Sequence, residues 1–503
     1  MKILTASQIH DLDKYTIKHE PIASVDLMER AAAACAKWIH AHYPISCVFN
    51  FFCGLGNNGG DGLALARLLH QMGYTVKVCI AEYSDKFSTD FTINLNRLKE
   101  INTIKIIEIN EVFQFPEIHQ KDIIIDAILG SGLSRSVNGL LEELVIHINK
   151  SEAQVIAIDI PSGLFSDIHS DPKSAIIKAD YTLSFEVPKL AFMFSENDDF
   201  VGEWKLLPIG LHRNGMASIH AKNNYLTNEL INKIVKPRRK FSHKGTYGHA
   251  LLVAGAVGKI GAAVLASKAC LRGGVGLLTT HVPTCGYEIL QISVPEAMLS
   301  IDSSEIIFSS HLNLMPYTAV GIGPGIGVAE ETQKALKLFI QSSSHPIVID
   351  ADALNIVSEN KTWLSFIPPN SILTPHQKEF ERLVGKAADS FERQQMQINF
   401  AVKYKVYVVL KGAHTAIACP DGTCYYNSTG NPGMATGGSG DVLTGIILSL
   451  LAQNYTPIEA SLLGVYLHGL SGDIALEKQS IQSIIASDLI ENIGAAYKKC
   501  TKK

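Results

Sequence analysis

The stretch from Asn427 to Asp441 is rich in glycine and small polar residues, and it leads directly into the apolar segment 442–451. A loop of this kind, followed by an apolar run, predicts a helix that begins near Ser439 or Asp441. Converging backbone N–H groups and the partial positive charge of a helix N-terminus suit a phosphate or a developing oxyanion. A carboxylate repels a phosphate and is useful there only if it removes a proton. Asp441 is therefore the candidate base of a phosphoryl-transfer site, and the alternative is a flexible loop that Asp441 merely caps.

Length and composition indicate a two-domain globular protein. The 503 residues exceed what one hydrophobic core usually serves, and 47% hydrophobic with 18% charged residues is an ordinary globular balance. A net charge of −4 gives no reason to expect nucleic acid as a partner. The nine cysteines include no C-x-x-C pair, which favours free cytosolic thiols over disulfides or zinc. No apolar run reaches membrane-spanning length, and the N-terminus predicts an amphipathic helix with a Thr5–Gln8 capping box rather than a signal peptide.

The first half alternates apolar strands with glycine-rich turns and helices. The apolar run 47–52 ends at the turn 53–62, and a helical pattern over 63–72 leads to a strand at 75–80. Strand, glycine turn, helix and strand are the start of a Rossmann-like unit. Later strands are predicted at 122–126, 155–159 and 181–185.

Polar side chains collect where these strands end. Asp126 and Asp159 close their strands, and ligands bind at the carboxyl ends of strands in open α/β sheets. Asn58, Asp126 and Ser162 all carry oxygen donors that could hold a hard cation together. Lys189 follows the next strand, where it could meet an anion at the same edge. The alternatives are that the aspartates only cap helices and that Lys189 is a solvated surface residue.

Three motifs of the first half, at 57–62, 126–132 and 159–163, resemble the YjeF N-terminal domain of the NAD(P)H-hydrate epimerase family. The similarity covers about residues 1–215 and implies a Rossmann-like α/β/α sandwich, in which we take Asp159 as the candidate base. The family also implies a potassium ion held by Asn58, Asp126 and Ser162. Residues that would contact the hydrated nicotinamide nucleotide are Asn57, Asn58, Gly59, Gly60, Asp61, Gly130, Ser131, Gly132, Leu133, Ser134, Arg135, Ser136 and Asp159.

Periodicity is weak over residues 211–240, and we place the domain boundary near residues 215–235. We assign residues 1–220 to the first domain and residues 235–498 to the second. The weakly periodic segment ends in the basic run Lys236–Lys240, which is short and typical of a solvated linker. Beyond it strands and helices alternate again, which predicts a second α/β domain.

Several turns of the second half carry candidate ligand-binding groups. Asp352, Asn355 and Glu379 offer oxygens for Mg²⁺, directly or through water. His376 follows a proline before a helix, where it either faces the ligand edge of the sheet or hydrogen-bonds the helix start. The turn 411–415 opens with a lysine and exposes N–H groups that could hold nucleotide phosphates, unless it is only a tight hairpin with a surface lysine.

The turn 411–415 and the segment 437–441 of the glycine-rich stretch resemble motifs of the ribokinase-like superfamily. Together with the motifs 243–248, 323–325 and 374–379, they resemble the ADP-dependent NAD(P)H-hydrate dehydratase family over about residues 235–495. The resemblance implies that ADP is bound by Lys411, Gly412, Ala413, His414, Thr415 and Gly440. The hydrate would contact Ala262, Gly325, His376 and Asp441.

The two halves in one chain resemble the bifunctional NAD(P)H-hydrate repair family. That family implies the substrates NADHX and NADPHX, which are hydrates of NADH and NADPH, with ADP as co-substrate and K⁺ and Mg²⁺ as cofactors. The first half would interconvert the R and S epimers, and the second would dehydrate the S epimer while ADP becomes AMP and phosphate. We also expect a cytoplasmic homo-oligomer that binds neither nucleic acid nor membranes.

Two other functions fit parts of the pattern. A ribokinase-type kinase would use Asp441 in the same way, but it would release a stable phosphorylated product. The first half could instead be a non-catalytic module that binds a nucleotide or a partner protein. The set of Asn58, Asp126, Asp159 and Ser162 favours an enzyme over such a module.

Overall fold

The computed structural model describes residues 1–501 and divides the chain into two compact units. The first comprises Lys2–Ala221, and the second begins at Lys222. Residues 222–234, which lie between the two predicted domain ranges, form a short strand and a helix of the second unit. Elements this short carry too little apolar periodicity to be recognised in the sequence. Within residues 1–501, no helix has the length and apolar character needed to cross a bilayer.

The first unit is built from eight strands and seven helices. Its strands are β1 (Lys2–Ile3), β2 (Val48–Cys53), β3 (Thr75–Ala81), β4 (Lys105–Ile109), β5 (Ile123–Ala127), β6 (Gln154–Ile158), β7 (Tyr181–Phe185) and β8 (Glu203–Leu207). Its helices are α1 (Ala6–His19), α2 (Ser24–His42), α3 (Asn57–Gln71), α4 (Thr89–Lys99), α5 (Leu140–Lys150), α6 (Asp198–Val201) and α7 (Arg213–Ser218).

The sheet of the first unit is parallel and runs in the order β4-β3-β2-β5-β6-β7-β8. The order reverses at β2, so that β3 and β4 lie on one side of it and β5 to β8 on the other. In doubly wound folds, ligands bind in the crevice at such a reversal, beyond the carboxyl ends of the strands. The strand order confirms the predicted Rossmann-like fold and places the crevice beside β2 and β5.

The start of α3 is packed too closely for any residue but glycine. A Cβ added to Gly59 would lie 1.8 Å from the carbonyl oxygen of Gly54, which no rearrangement of a side chain could relieve. A Cβ on Gly60 would come within 2.8 Å of Met28 Sδ. These glycines therefore let the N-terminus of α3 approach the turn that follows β2.

The N-terminal helix α1 begins with the predicted capping box. The Gln8 N–H donates to Thr5 Oγ1 over 3.3 Å, and the Thr5 N–H donates to Gln8 Oε1 over 3.1 Å. Two orphan N–H groups of the first turn are satisfied in this way. The cap fixes where α1 begins, and this decides which face of α1 the rest of the unit covers.

The second unit contains ten further strands and ten helices. Its strands are β9 (Asn223–Tyr225), β10 (His249–Val253), β11 (Leu277–Val282), β12 (Met298–Ile301), β13 (Ala319–Ile322), β14 (Ile347–Ile349), β15 (Ile372–Leu373), β16 (Tyr407–Leu410), β17 (Ala416–Ala418) and β18 (Cys424–Tyr426). Its helices are α8 (Asn228–Ile234), α9 (Ile260–Arg272), α10 (Tyr287–Ser293), α11 (Glu330–Ser342), α12 (Ala351–Glu359), α13 (Gln377–Val384), α14 (Ser390–Tyr404), α15 (Ser439–Ala452), α16 (Pro457–Ala475) and α17 (Ala486–Thr501).

The sheet of the second unit runs in the order β9-β18-β17-β16-β15-β14-β13-β10-β11-β12. The strands from β16 to β12 in this order are parallel, and β17 pairs antiparallel with both β16 and β18. Because parallel strands end at the same edge, the turns after β13, β14, β15 and β16 lie side by side there.

Helix α15 begins at Ser439, as the glycine-rich stretch predicts. Gly438 occupies the N-cap position with φ +87°, a left-handed conformation that favours glycine. Residues 442–452 of the helix are all buried, so α15 is a core helix whose N-terminus lies near the ligand edge of the sheet. Asp441 is carried on its first turn.

Candidate active sites

A cavity of 1410 Å³ opens in the first unit at the reversal of strand order. It is lined by the turn after β2, the loop after β5, the residue that follows β6 and one face of α1. Gly59 and Gly60, which the sequence also suggests as contacts, are packed closely at the start of α3 and are not among the residues that line this cavity. The predicted hydrate-binding residues that line it are Asn57, Asn58, Asp61, Gly130, Ser131, Gly132, Leu133, Ser134, Arg135, Ser136 and Asp159.

The three predicted potassium ligands lie together behind this cavity. Ser162 Oγ donates to Asp126 Oδ1 over 2.5 Å, and the Ser162 N–H donates to Asp126 Oδ2 over 2.8 Å. Asn58 Nδ2 donates over 3.0 Å to the Leu129 carbonyl, which lies 3.2 Å from Ser162 Oγ. Asn58 Oδ1 is buried and has no hydrogen-bond partner. A buried acceptor without a partner is costly, and a bound cation would satisfy it.

Asp126 is a fully buried carboxyl group at the centre of this cluster. Burial raises its pKa to about 6. The hydrogen bonds from Ser162 and Ile128 lower the pKa and so limit this increase. Asp126 has no ion-pair partner among residues 1–501. The oxygen donors and the missing counter-charge together fit a monovalent cation.

Asp159 follows β6 in a strained conformation and forms an ion pair with Lys189. Its φ of +68° lies in the left-handed region, which costs a non-glycine residue about 1–3 kcal/mol and is typical of functional sites. Lys189 is completely buried and also donates to Ser184 Oγ over 2.5 Å. The interpretation of Lys189 as a solvated surface residue is therefore wrong.

The ion pair decides the protonation state of Asp159. Burial alone would raise the pKa of Asp159, but the charge of Lys189 and hydrogen bonds from Lys189 and Ser131 lower it below the usual range. The Ser131 N–H donates to Asp159 Oδ2 over 3.2 Å, which ties the carboxylate to the 130–136 loop. Asp159 is thus an ionised carboxylate on the cavity wall that can accept a proton.

Asp13 on α1 also lines the cavity, and no motif of the sequence points to it. Burial, followed by the charge of Asp159, raises the pKa of Asp13 to about 7, although Lys189 opposes the shift. Burial and the neighbouring carboxylates, Asp159 first among them, also raise the pKa of Asp61 well above its usual value. The cavity therefore brings together one ionised and two protonatable carboxyl groups.

In the second unit, Lys411 and Asp350 form an ion pair at the ligand edge of the sheet. Lys411 Nζ lies 2.8 Å from Asp350 Oδ1, and Thr444 Oγ1 on α15 donates to Asp350 Oδ2 over 2.7 Å. Glu379 Oε2 lies 3.9 Å from the same ammonium group. Burial alone would lower the pKa of Lys411, but Asp350, Glu379 and Asp441 raise it. Lys411 is thus a fixed cation at this edge and not the surface lysine of a simple hairpin.

Asp441 has the protonation behaviour expected of a general base. Burial raises its pKa to about 7, the charges of Asp350 and Asp352 raise it as well, and Lys411 lowers it. A base is most effective when its pKa lies near the working pH. The geometry therefore supplies a carboxyl group near neutrality at the N-terminus of a buried helix, beside a fixed cation.

The predicted ADP-binding residues divide between the turn 411–415 and the start of α15. The turn joins the antiparallel strands β16 and β17, with Thr415 Oγ1 donating to the Gly412 carbonyl over 3.0 Å. His414 Nδ1 lies 3.0 Å from the Asn427 carbonyl, so the turn contacts the start of the glycine-rich stretch. A Cβ on Gly440 would lie 3.3 Å from Lys411 Nζ. The structure thus brings Gly440 and the turn together, with Ala413 at the turn itself.

Ala262 and Gly325, both predicted to contact the hydrate, are neighbours. A Cβ on Gly325 would lie 3.2 Å from Ala262 Cβ and 2.9 Å from the Lys259 carbonyl, and its φ is +65°. His376 begins α13, and its Nδ1 accepts from the N–H groups of Lys378 and Glu379 over 3.1 and 3.3 Å. Of the two roles that the sequence leaves open for His376, the structure shows the helix-start hydrogen bond.

The three residues that the sequence offers to Mg²⁺ do not form a cage. Asp352 is bound by Lys259 at 3.0 Å and by the Gly327 N–H at 2.9 Å. Asn355 Oδ1 accepts from Arg382 over 2.5 Å, while Glu379 caps α13. No group of three or more histidine, cysteine, aspartate or glutamate side chains suited to a metal occurs in the described part of the chain.

Two further residues support this site without having been predicted for it. Asp350, at the N-cap position of α12, orients Lys411 through an ion pair. His468 on α16 contacts the Ser439 carbonyl over 2.9 Å, and burial lowers its pKa to about 4. His468 is consequently a neutral donor that holds the first turn of α15. Asp350 and His468 are both remote from the glycine-rich stretch in sequence, so no local sequence motif could indicate that they support this site.

Both halves match known family models. Residues 24–191 match the model described as the YjeF-related protein N-terminus, and residues 250–494 match the model described as NAD(P)H-hydrate dehydratase. Helix α1, which carries Asp13, lies before the first matched segment.

Full-length relatives carry both parts in the same order. The chain is 34% identical to a bifunctional NAD(P)H-hydrate repair enzyme of Moorella thermoacetica, over 98% of this chain and 96% of that protein. It is 32% identical to a bifunctional NAD(P)H-hydrate repair enzyme of Escherichia coli, over 93% of this chain and 88% of that protein. An ADP/ATP-dependent NAD(P)H-hydrate dehydratase from Bacillus subtilis, crystallised with ATP and Mg²⁺, is 31% identical, with a TM-score of 0.48 over 55% of this chain and 98% of that chain. The chain belongs to the family of bifunctional NAD(P)H-hydrate repair enzymes.

Proposed function

We propose that this chain repairs NADHX and NADPHX in two steps. The first unit interconverts the R and S epimers of the hydrate, and the second dehydrates the S epimer to NADH or NADPH while ADP becomes AMP and phosphate. The observation that carries the proposal is the placement of Asp441, a carboxyl group with a pKa of about 7, beside Lys411 at the N-terminus of α15. A base and a cation at a helix N-terminus suit phosphoryl transfer to a hydroxyl group.

The second unit then works through its own side chains as follows. Asp441 accepts the proton of the 6-hydroxyl group while that oxygen attacks the β-phosphorus of ADP, and the bond to AMP breaks. Lys411 and the N–H groups around Gly440 stabilise the charge that develops on the transferred group. The lone pair of the ring nitrogen expels phosphate from C6, and loss of the C5 proton restores the reduced nicotinamide.

ADP is proposed to lie along the turn 411–415, whose lysine lies close to Gly440 on the first turn of α15. Asp352, Asn355 and Glu379 are each engaged by other groups, so the Mg²⁺ ion is proposed to enter with the phosphates of ADP. Magnesium is commonly bound in this manner, mostly through substrate phosphates and water. The hydrate would lie against Ala262, Gly325 and His376, with its hydroxyl group toward Asp441.

In the first unit, the hydrate is proposed to occupy the 1410 Å³ cavity, in contact with the predicted residues that line it. Asp159 is ionised there and is the candidate base. The 130–136 loop, which contains three serine residues and Arg135, would hold the phosphate groups of the nucleotide.

A potassium ion is proposed between Asn58, Asp126 and Ser162, where Asn58 Oδ1 lacks a partner. Asp126→Ala removes the formal charge of the three, and losses at metal sites are typically about 10–100-fold in affinity or activity. Epimerisation of the hydrate should therefore fall by about that factor, while ADP-dependent dehydration is retained. The rates follow from chromatographic separation of the epimers without ADP.

A measurement of thermal stability tests cation binding independently of catalysis. Potassium chloride should raise the melting temperature of the unmodified chain more than lithium chloride at equal ionic strength, and Asp126→Ala should abolish the difference. If both salts act equally on the unmodified chain, the cluster is a hydrogen-bonded core and not a cation site.

The test of the proposed function uses chemically prepared hydrate and the purified chain. With ADP and Mg²⁺, the absorbance of the reduced nicotinamide should recover for both epimers, and AMP and phosphate should form in equal amounts. Without ADP, only the ratio of epimers should change. A stable phosphorylated product would instead identify a kinase of the ribokinase type.

We further propose a cytoplasmic homo-oligomer. Nicotinamide nucleotides are formed and used inside the cell, which supports the location.

The edge strand β12 supports self-association, because it and the adjacent α10 expose apolar side chains at an unpaired edge of the sheet. Ile292 on α10 is 80% exposed. The mass in solution, measured by light scattering, decides between a monomer and an oligomer.

A further inference from the structure

Helix α1 forms part of the wall of the cavity in the first unit. The α1 residues on the cavity side recur at helical spacing, and they are Ala6, Ser7, Ile9, His10, Asp13, Lys14 and Ile17. Since α1 lies before the segment that matches the family model, the match says nothing about its role. The structure shows that the cavity is incomplete without it.

Among the carboxyl groups that line this cavity, Asp13, Asp61 and Glu82 have no side-chain partner within residues 1–501, whereas Asp90 and Asp159 do. Asp90 accepts from Ser24 Oγ over 2.6 Å, and Asp159 is paired with Lys189. Within residues 1–501, Asp13 makes no hydrogen bond and no ion pair, although it is largely buried. A carboxyl group in such surroundings costs stability unless it is neutral or meets a ligand.

We propose that Asp13 is the general acid of the epimerase site and acts opposite Asp159. This inference rests on the proposed function of the first unit. In the first step, Asp13 gives its proton to the 6-hydroxyl oxygen of the hydrate. The C6–O bond then breaks, a water molecule leaves, and the lone pair of the ring nitrogen forms a double bond to C6.

The second step restores the hydrate with the inverted configuration at C6. Water forms a new bond to C6 from the opposite face, its proton passes to Asp159, and the electron pair returns to the ring nitrogen. Asp159 then loses this proton to solvent and Asp13 regains one, so that no atom or charge is left over. Carboxylates around the cavity stabilise the positive charge of the ring between the two steps.

The protonation states of the two groups agree with these roles. Asp13 has a pKa of about 7, whereas the pKa of Asp159 is lowered by Lys189, so one is protonated while the other is ionised. Two carboxyl groups whose surroundings push their pKa values apart are typical of an acid and a base in one site. The charged and titratable groups around Asp13 are Asp159, Lys189 and Asp61, with His10, Lys14, Glu82 and Asp90 in the same cavity wall.

The test compares Asp13→Asn with Asp11→Asn in the full-length chain without ADP. Asparagine has the size of aspartate but no acidic proton, so Asp13→Asn should lower the turnover of epimerisation by about 10²–10⁴-fold at nearly unchanged KM. Asp11 lies on the exposed side of the same helix, and its variant should keep the full rate. Both variants should keep ADP-dependent dehydration of the pure S epimer and the melting temperature, which excludes misfolding.

Two further measurements distinguish an acid from a merely structural residue. Turnover of the unmodified chain should fall as the pH rises through about 7, and Asp13→Asn should lack this decline. In water enriched in oxygen-18, each turnover should place the heavy isotope at C6. An Asp13→Asn variant with the full turnover, or one with only a raised KM, overturns the inference. An unmodified chain that leaves the epimer ratio constant overturns the proposed function itself, which is a separate result.

Discussion

Replacing Asp441 with asparagine is expected to slow ADP-dependent dehydration by about 10²–10⁴-fold, the usual contribution of a positioned general base. Asparagine preserves the size of the side chain but cannot accept the hydroxyl proton. The loss should appear in turnover far more than in the affinity for ADP, because Lys411 and the rest of its turn are unchanged. Steady-state rates with pure S epimer and calorimetric binding of ADP measure the two effects.

The same chain provides the control and a pH dependence. Epimerisation in the first unit should be unaffected by Asp441→Asn. For the unmodified chain, dehydration should rise with pH through about 7, because Asp441 must be ionised to act and its pKa is raised to about 7. A variant that dehydrates the hydrate at the normal rate would remove Asp441 from the mechanism.

Replacing Lys189 with methionine is expected to destabilise the first unit by about 3–5 kcal/mol, the usual cost of breaking a buried ion pair. Lys189 is completely buried, so its removal leaves the ionised Asp159 without compensation. The pKa of Asp159 should also rise, because Lys189 is what lowers it. Hydrogen exchange of peptides from β5 and β6 measures the loss of stability within the first unit.

The double variant Lys189→Met with Asp159→Asn tests the cause. If the destabilisation arises from an uncompensated charge, neutralising Asp159 should restore part of the lost stability. A double variant that is no more stable than Lys189→Met would show that packing of the lysine side chain is responsible. Dehydration by the second unit should be unchanged in both variants.

Sequence patterns were informative where the structure depends on neighbouring residues. The glycine-rich stretch before α15 and the Thr5–Gln8 capping box were correctly predicted. The strand–glycine–helix order at β2 was also correct, but α3 begins at Asn57, inside the predicted turn 53–62, and not at residue 63. In the first two cases the sequence motif and the helix start that it predicts occupy the same few residues, so the local sequence is enough to predict the structure there.

The missed features depend on contacts between distant segments. Lys189 is buried in an ion pair with Asp159, and Lys411 forms an ion pair with Asp350, which lies 61 residues away in the sequence. Asp13 reaches the cavity only because α1 packs over the sheet edge, and an amphipathic pattern alone does not say what its face covers. Residues close in space but remote in sequence leave no trace in a local motif.

The capping role of His376 also determines which nitrogen of its neutral ring carries the hydrogen. Because Nδ1 accepts from two backbone N–H groups, the neutral imidazole is the tautomer with hydrogen on Nε2. That nitrogen lies 3.4 Å from Glu379 Oε1, and the side chain is 48% exposed. In this tautomer His376 can donate a hydrogen bond to an oxygen of the hydrate but cannot take up its hydroxyl proton. The helix start therefore makes the ring a donor and leaves proton removal to a carboxylate.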